Sequence, residues 1–174
     1  MQTRIAQVID ALIARSLALP DTFRAPDDQS ASESLITVWD GPQFRSGEDY
    51  GRSAHLIIGF GGPDPEAQEP AADTQLSAGP SASAVRPRDE VLSINCRAVM
   101  DSAESAKEAR DRALAVIDAV ASICRSDPSL GIDASATIGG VIVRAWVTAG
   151  TLLQYLESGY TAEWEFTVTV RTRV

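Results

Sequence analysis

Histidine and cysteine are nearly missing from this 174-residue sequence, which holds one histidine, His55, and two cysteines, Cys96 and Cys124. That scarcity removes most metal and nucleophile chemistry. No C-x-x-C or H-E-x-x-H spacing occurs, and one histidine with two distant thiols does not assemble a zinc site. With no signal peptide ahead of Arg4, the expectation is a reducing compartment with both thiols free. Cys96 falls in a strand pattern and Cys124 on the apolar face of a helical pattern, where a thiol acts as a small core filler. Aromatic residues make up only 6% of the chain, so the core is expected to be finely packed from alanine and valine. No apolar run approaches the roughly 18 residues that a membrane helix requires, so no membrane partner is expected. Basic residues are scarce as well, 15 against 24 acidic ones, for a formal charge of −9. A dedicated DNA- or RNA-binding domain needs a basic face to displace counterions, and an anionic membrane surface needs the same. A local basic patch remains open, because net charge does not fix its distribution.

What is present is enough for one folded domain spanning 1–174. Hydrophobic residues reach 44%, near the globular average. A chain of this length buries about 70% of its unfolded surface. Residues 3–18 carry Ile5, Val8, Ile9, Leu12, Ile13 and Leu17 at helical spacing, with Thr3 available as a cap and Pro20 closing the segment. Leu35–Trp39 reads as a strand that ends in the turn signal Asp40-Gly41-Pro42. The following "AHLIIGFGG" is nearly all apolar, which places it in the middle of a sheet.

Residues 61–88 hold five prolines and few large apolar side chains, so this Pro/Ala/Ser-rich stretch is expected to be an extended flap. "RDEVLSINCRAVM" returns to strand alternation. Asp101 and Ser102 are N-cap candidates, Asp101-x-x-Glu104 resembles a capping box, and the helix runs to about Arg125. Asp127-Pro128 stops that helix, Gly131 frees the turn, and Leu130 can fold back on the helix end. The strand "TIGGVIVRAWV" follows. "GTLLQYLESG" is either a further strand or a hairpin arm. In the last strand Ala162, Trp164, Phe166, Val168 and Val170 share one face, and Thr161, Glu163, Glu165, Thr167, Thr169 and Arg171 the other. The element order predicts an α+β fold, a mostly antiparallel sheet of about five strands with two main helices packed on it.

Candidate chemistry is sparse. His55 sits among strand residues, where a half-buried or interface histidine is the ordinary case. Glu163 and Glu165 lie two residues apart on one strand face, and paired carboxylates can act as acid and base, yet the neighbouring threonines favour a solvated outer face. Gly59-x-Gly61-Gly62 leads into Pro63-Asp64-Pro65 instead of a helix N-terminus, so the amides that cradle phosphate are missing. Asp27-Asp28 reads as solvated charge. Trp39, Trp146 and Trp164 lie in strand patterns that favour the core. Arg171 and Arg173 read either as edge residues that block strand pairing or as partners for an acidic neighbour. No catalytic, cofactor-binding or metal-binding residue is assigned, and no cofactor is expected.

The motifs in order are an N-terminal helix, "VWDGP", "LIIGF", a Gly/Pro loop containing "TQLSAG", "RDEVLSINC", a helix rich in alanine and arginine, and "DPSLG" before a C-terminal hairpin. Taken together they resemble the tail terminator proteins of long-tailed, siphovirus-type phages that infect actinobacteria. The resemblance covers nearly the whole chain, although each motif alone is short. The 61–88 stretch and the segment after Pro20 depart from the family pattern. The resemblance implies a sheet flanked by helices and a non-enzymatic virion protein. It implies a homo-oligomeric ring, usually a hexamer, that caps the tail tube, ends tube polymerisation and joins the tail to the head-completion protein. Genomic DNA would pass through the bore without specific binding, at the head-proximal end of the tail, after assembly in the host cytoplasm. The acidic charge suits a bore that repels phosphate, and it equally suits ordinary solubility.

Interface candidates fall in three places. The flap contributes Pro63, Asp64, Glu66, Glu69, Gln75 and Arg86. The hairpin arm contributes Gln154, Tyr155, Glu157 and Tyr160, and the outer face of the last strand contributes Arg171 and Arg173. Alternative readings are a head-side connector or neck protein, or a small cytosolic enzyme or ligand-binding module with a pocket at His55 or at Glu163 and Glu165.

Overall fold

A computed structural model describes residues 5–28, 35–41, 54–59, 72–77, 89–132, 141–156 and 159–173. The chain order is α1 (Ile5–Leu17), β1 (Phe23–Arg24), β2 (Ile36–Asp40), β3 (Ala54–Ile58), β4 (Ala72–Ser77), β5 (Asp89–Ser102), α2 (Ala106–Ser126), β6 (Val141–Leu156) and β7 (Tyr160–Arg173). Two helices pack on a seven-stranded, mixed but mostly antiparallel sheet, an α+β fold. The sheet runs β1-β2-β3-β5-β7-β6, and β4 pairs with the first half of β5. Only β1–β2 and β2–β3 are parallel.

The even-numbered residues of β5 and β7 build the core. Leu92, Ile94, Cys96, Ala98 and Met100 lie in register with Val170, Val168, Phe166, Trp164 and Ala162. Against this face α1 buries Val8 and Leu12, and α2 buries Ala109, Ala113, Val116, Val120 and Ile123. Alanine at the first two positions of that stripe lets α2 approach the sheet closely. Fine packing from small side chains is therefore the observed solution.

Two short strands raise the count from the expected five to seven. β1 has two residues. β4 lies inside the 61–88 stretch expected to be a strandless flap, and all six of its residues are in register with β5, Ala72 opposite Ile94 and Ser77 opposite Asp89. Ala72, Thr74 and Leu76 alternate as a strand should, but so short a run is stable only through pairing, which composition does not report.

α2 begins four residues later than the proposed Asp101 capping box allows. Ser105 is the N-cap, and its Oγ accepts the Glu108 N–H at 3.1 Å. Asp101 belongs to β5, and the Ser102 hydroxyl serves the turn, accepting the Glu104 N–H at 3.0 Å and bonding the Glu108 carboxylate. The register Ser105-x-x-Glu108 fits the S-x-x-E pattern better than one beginning at Asp101.

The helix end behaves as Asp-Pro-Ser-Leu-Gly suggests. Asp127 caps it, with its N–H on the Ile123 carbonyl. Its Oδ1 accepts the Ser129 N–H at 3.1 Å and the Ser129 hydroxyl at 2.6 Å. Leu130 and Gly131 then both take positive φ, 55° and 70°, turning the chain back so that Leu130 is buried in the core. Arg15 of α1 reaches across to Asp127 Oδ2 at 2.5 Å. A Cβ on Gly131 would stand 2.2 Å from that guanidinium, so glycine here serves both the turn and the inter-helix ion pair.

Candidate interaction surface

The face of the sheet away from the helices carries the polar chemistry. Register places Arg24, Thr37, Trp39, His55, Ile57, the odd residues of β5 and β7, and Arg144, Trp146, Leu153 and Tyr155 on it. Its centre is buried, with Thr37, Ile57, Val99, Asp101, Thr161 and Glu163 all largely shielded.

Glu163 and Glu165 are not a solvated pair. Arg97, directly opposite Glu165, donates to Glu165 Oε1 at 2.5 Å and approaches Glu163 Oε2 at 3.4 Å. The Tyr155 hydroxyl donates to Glu163 Oε1 at 2.5 Å. Side-chain exposure is 13% for Arg97 and 12% for Glu163, against 36% for Glu165. The expectation failed because strand alternation assigns a residue to a face, whereas burial depends on side chains of the adjacent strands, here Arg97 of β5 and Tyr155 of β6. Deeper in the same face, Thr161 Oγ1 donates to Asp101 Oδ1 at 2.7 Å, and Thr167 Oγ1 donates to Asn95 Oδ1 at 3.2 Å. These carboxylates are engaged by internal donors, an arrangement that builds the sheet.

His55 is half-buried and accepts a hydrogen bond at Nδ1 from Trp39 Nε1 at 3.0 Å, with ring centroids 6.1 Å apart. None of the three tryptophans is fully buried. Trp164 packs on the helix side, whereas Trp39 and Trp146 lie on the opposite face. Burial pushes the Cys96 thiol up to about 12 and the Cys124 thiol up to about 11. Neither is a ready nucleophile. No group of three or more metal-ligating side chains occurs among the described residues. Gly59 takes a φ of 76°, and a Cβ there would stand 3.3 Å from Ile9; Gly61 and Gly62 of the motif fall outside the described residues.

Of the hairpin-arm candidates, Gln154, Tyr155 and Tyr160 come together at the end of β6 and the start of β7. "GTLLQYLESG" is strand as far as Leu156, part of β6. Gln154 Nε2 donates to the Ala106 carbonyl at 3.1 Å, fixing the arm to the start of α2. Tyr155 anchors the other side through Glu163. Between and beyond these anchors, Leu153 (46% exposed), Leu156 (70%) and Tyr160 (37%) stand in solvent. Only two other large apolar side chains are exposed among the described residues, Leu19 and Leu114. Leu153 was missed, and Leu156 fell within the expected arm Gln154–Tyr160 without being singled out. Gln75 lies in β4, while Pro63, Asp64, Glu66, Glu69, Arg86 and Glu157 fall outside the described residues.

Arg171 and Arg173 do not guard an edge. β7 is an interior strand between β5 and β6, and β6 is the outermost strand on that side among the described residues. Register sets Arg171 between Val91 and Arg144, and Arg173 opposite Asp89. No helix is long and apolar enough to cross a membrane among the described residues. No protein-family model matches the chain, and no curated protein matches its sequence.

Proposed function

We propose that this protein is a structural component of a phage virion, a tail terminator that acts by protein–protein contact and not by catalysis. The observation that carries the reading is the hairpin end, where Leu153, Leu156 and Tyr160 are exposed on an arm held rigid at Gln154 and Tyr155. Exposed apolar side chains on a fixed support suit a docking surface, since little ordering entropy remains to be lost on contact. The motif order from "VWDGP" to "DPSLG" supports the same reading. In it, copies of the chain form a ring, hexameric in the family resembled, and the hairpin end seats on the last layer of tail-tube subunits. The opposite surface receives the head-completion protein, and the genome passes through the bore unread.

The test is tail length by electron microscopy after the gene is disrupted in its parent phage genome. Overlong or length-scattered tubes without heads are the expected result, because only the stop signal is lost. Tails of normal length beside unattached, DNA-filled heads would move the protein to the head side of the junction. Intact infectious particles would sink a virion role.

A further inference from the structure

His55 is the only histidine of the chain, and the bond it makes fixes its proton. An indole N–H can only donate, so the His55 Nδ1 that accepts from Trp39 Nε1 at 3.0 Å carries no proton. The neutral ring therefore holds its proton on Nε2. Register explains the meeting. Thr37 of β2 lies opposite His55 of β3, which puts Trp39, two residues on, diagonally across on the same face. The ring planes are tilted by 52°, so the two rings do not stack. Among the described residues, four charged groups surround His55 on this face. Arg24 of β1 lies beyond Thr37 and donates to its hydroxyl at 3.0 Å. Arg97 and Asp101 of β5 flank Val99, the residue opposite His55, and Glu163 of β7 lies beyond Val99. Asp40 follows Trp39 at the exposed end of β2. The cations oppose protonation of His55 and the carboxylates favour it, so together they set its midpoint. None of them alters the conflict that protonation creates at Nδ1.

We propose that Trp39 and His55 form a pH-operated latch between β2 and β3, closed while the imidazole is neutral and opened when it is protonated. Imidazolium carries a proton on both nitrogens, so Nδ1–H would point at the indole N–H, and two donors cannot bond each other. One ring has to turn away. Trp39 is the one that yields, because it is the second-last residue of β2, with exposed Asp40 and the Gly41 turn directly after it. His55 is instead paired on both sides, to Thr37 and to Val99. Trp39 is only half-buried, so its indole has solvent to turn into. Acid thus releases an aromatic side chain on the face of the sheet that carries no helix. The bond exists only with the neutral ring, so its contribution to stability is present above the His55 titration and lost as pH falls through it. An unperturbed histidine titrates near about 6.5, which puts the latch within reach of ordinary physiological pH changes.

The test is proton–nitrogen NMR on the full chain from about pH 8.5 down to about pH 5.5, either side of the ordinary histidine value. One histidine and three tryptophans keep the ring signals few. Long-range correlations within the imidazole report its tautomer, and the Trp39 indole signal is identified by its disappearance in Trp39→Phe. The neutral ring is expected to carry its proton on Nε2. The Trp39 signal should lose its hydrogen-bonded shift with the same midpoint as His55, while Trp146 and Trp164 stay unchanged. In Trp39→Phe the His55 midpoint should move up by about 0.4–1.1 on the pH scale, the worth of one hydrogen bond held only by the neutral form. His55→Asn places an amide oxygen near the position of Nδ1 and does not titrate, so it should hold Trp39 across the whole range. A neutral ring protonated on Nδ1, a Trp39 signal that ignores the His55 titration, or a His55 that stays neutral down to about pH 5.5 would each overturn the latch. All three are read on the unaltered chain, so the decision does not wait on a variant folding. A Trp39→Phe midpoint that stays put or falls would overturn it as well.

Discussion

Removing Arg97 is the most informative perturbation of the sheet. Its guanidinium sits between two carboxylates, and Glu163 is nearly as shielded as Arg97 itself. Arg97→Met keeps much of the packing volume and deletes the charge. Glu163 then retains the Tyr155 hydroxyl as its described donor, with a like charge two residues away at Glu165. Breaking a buried pair from one side costs about 3–5 kcal/mol. The residual exposure and the tyrosine bond reduce this to about 2–4 kcal/mol. For a domain of this size that lowers Tm by roughly 5–15 °C. Glu165→Ala, at the exposed end, should cost only about 0.5–1 kcal/mol. The double variant Arg97→Met/Glu163→Gln removes the stranded charge, so it should be more stable than Arg97→Met alone. Urea unfolding of the wild type, both singles and the double supplies the cycle. A cost for Arg97→Met under about 1 kcal/mol, or strictly additive costs in the double, would refute a shielded, coupled network.

Three further outcomes are expected. Gly150 lies in the irregular stretch of β6 between Thr148 and Thr151, and a Cβ there would stand 1.8 Å from the Glu165 carbonyl oxygen. Backbone cannot yield as a side-chain tip does, so Gly150→Ala should cost about 3 kcal/mol or more by denaturant unfolding, against about 1–2 kcal/mol for Gly131→Ala, where mobile Arg15 can move aside. Both thiols should react with a disulfide reagent at pH 8 roughly a hundredfold or more slowly in the native protein than after unfolding, since burial suppresses the thiolate. Asp127 is held below its ordinary value by the Ser129 hydroxyl and then by Arg15, with slight burial opposing. A folded-state value below the unfolded one contributes stability that is present above the ordinary carboxylate range and lost as pH falls through the folded value. Asp127→Asn should therefore flatten the acid limb of Tm against pH; an unchanged limb would remove Asp127 from the account.

The helices and long strands were legible because each carries its own period. Val8, Leu12, Val116 and Val120 announce helical faces, and the alternation of β7 separates Phe166 and Val168 from Glu165 and Thr167. Asp127-Pro128 and Gly131 announced the turn after α2, since glycine takes positive φ without a Cβ clash; the positive φ of Leu130 was not legible. The candidate surface was legible in part. Gln154, Tyr155 and Tyr160 were found through the hairpin arm, while Leu153 and Leu156 were not singled out, because an apolar side chain does not declare whether anything will cover it.

The sequence by itself determined which residues share a face, since the 3.6- and 2-residue repeats are properties of the local backbone. It also determined where α2 must stop. Tertiary structure alone decided that β7 is an interior strand, that β4 exists, and that Glu163 is shielded by Arg97 and Tyr155. Each of these depends on strands brought side by side from distant positions in the chain. Their pairing free energy arises only once loop closure has joined them, so no local window of residues carries it.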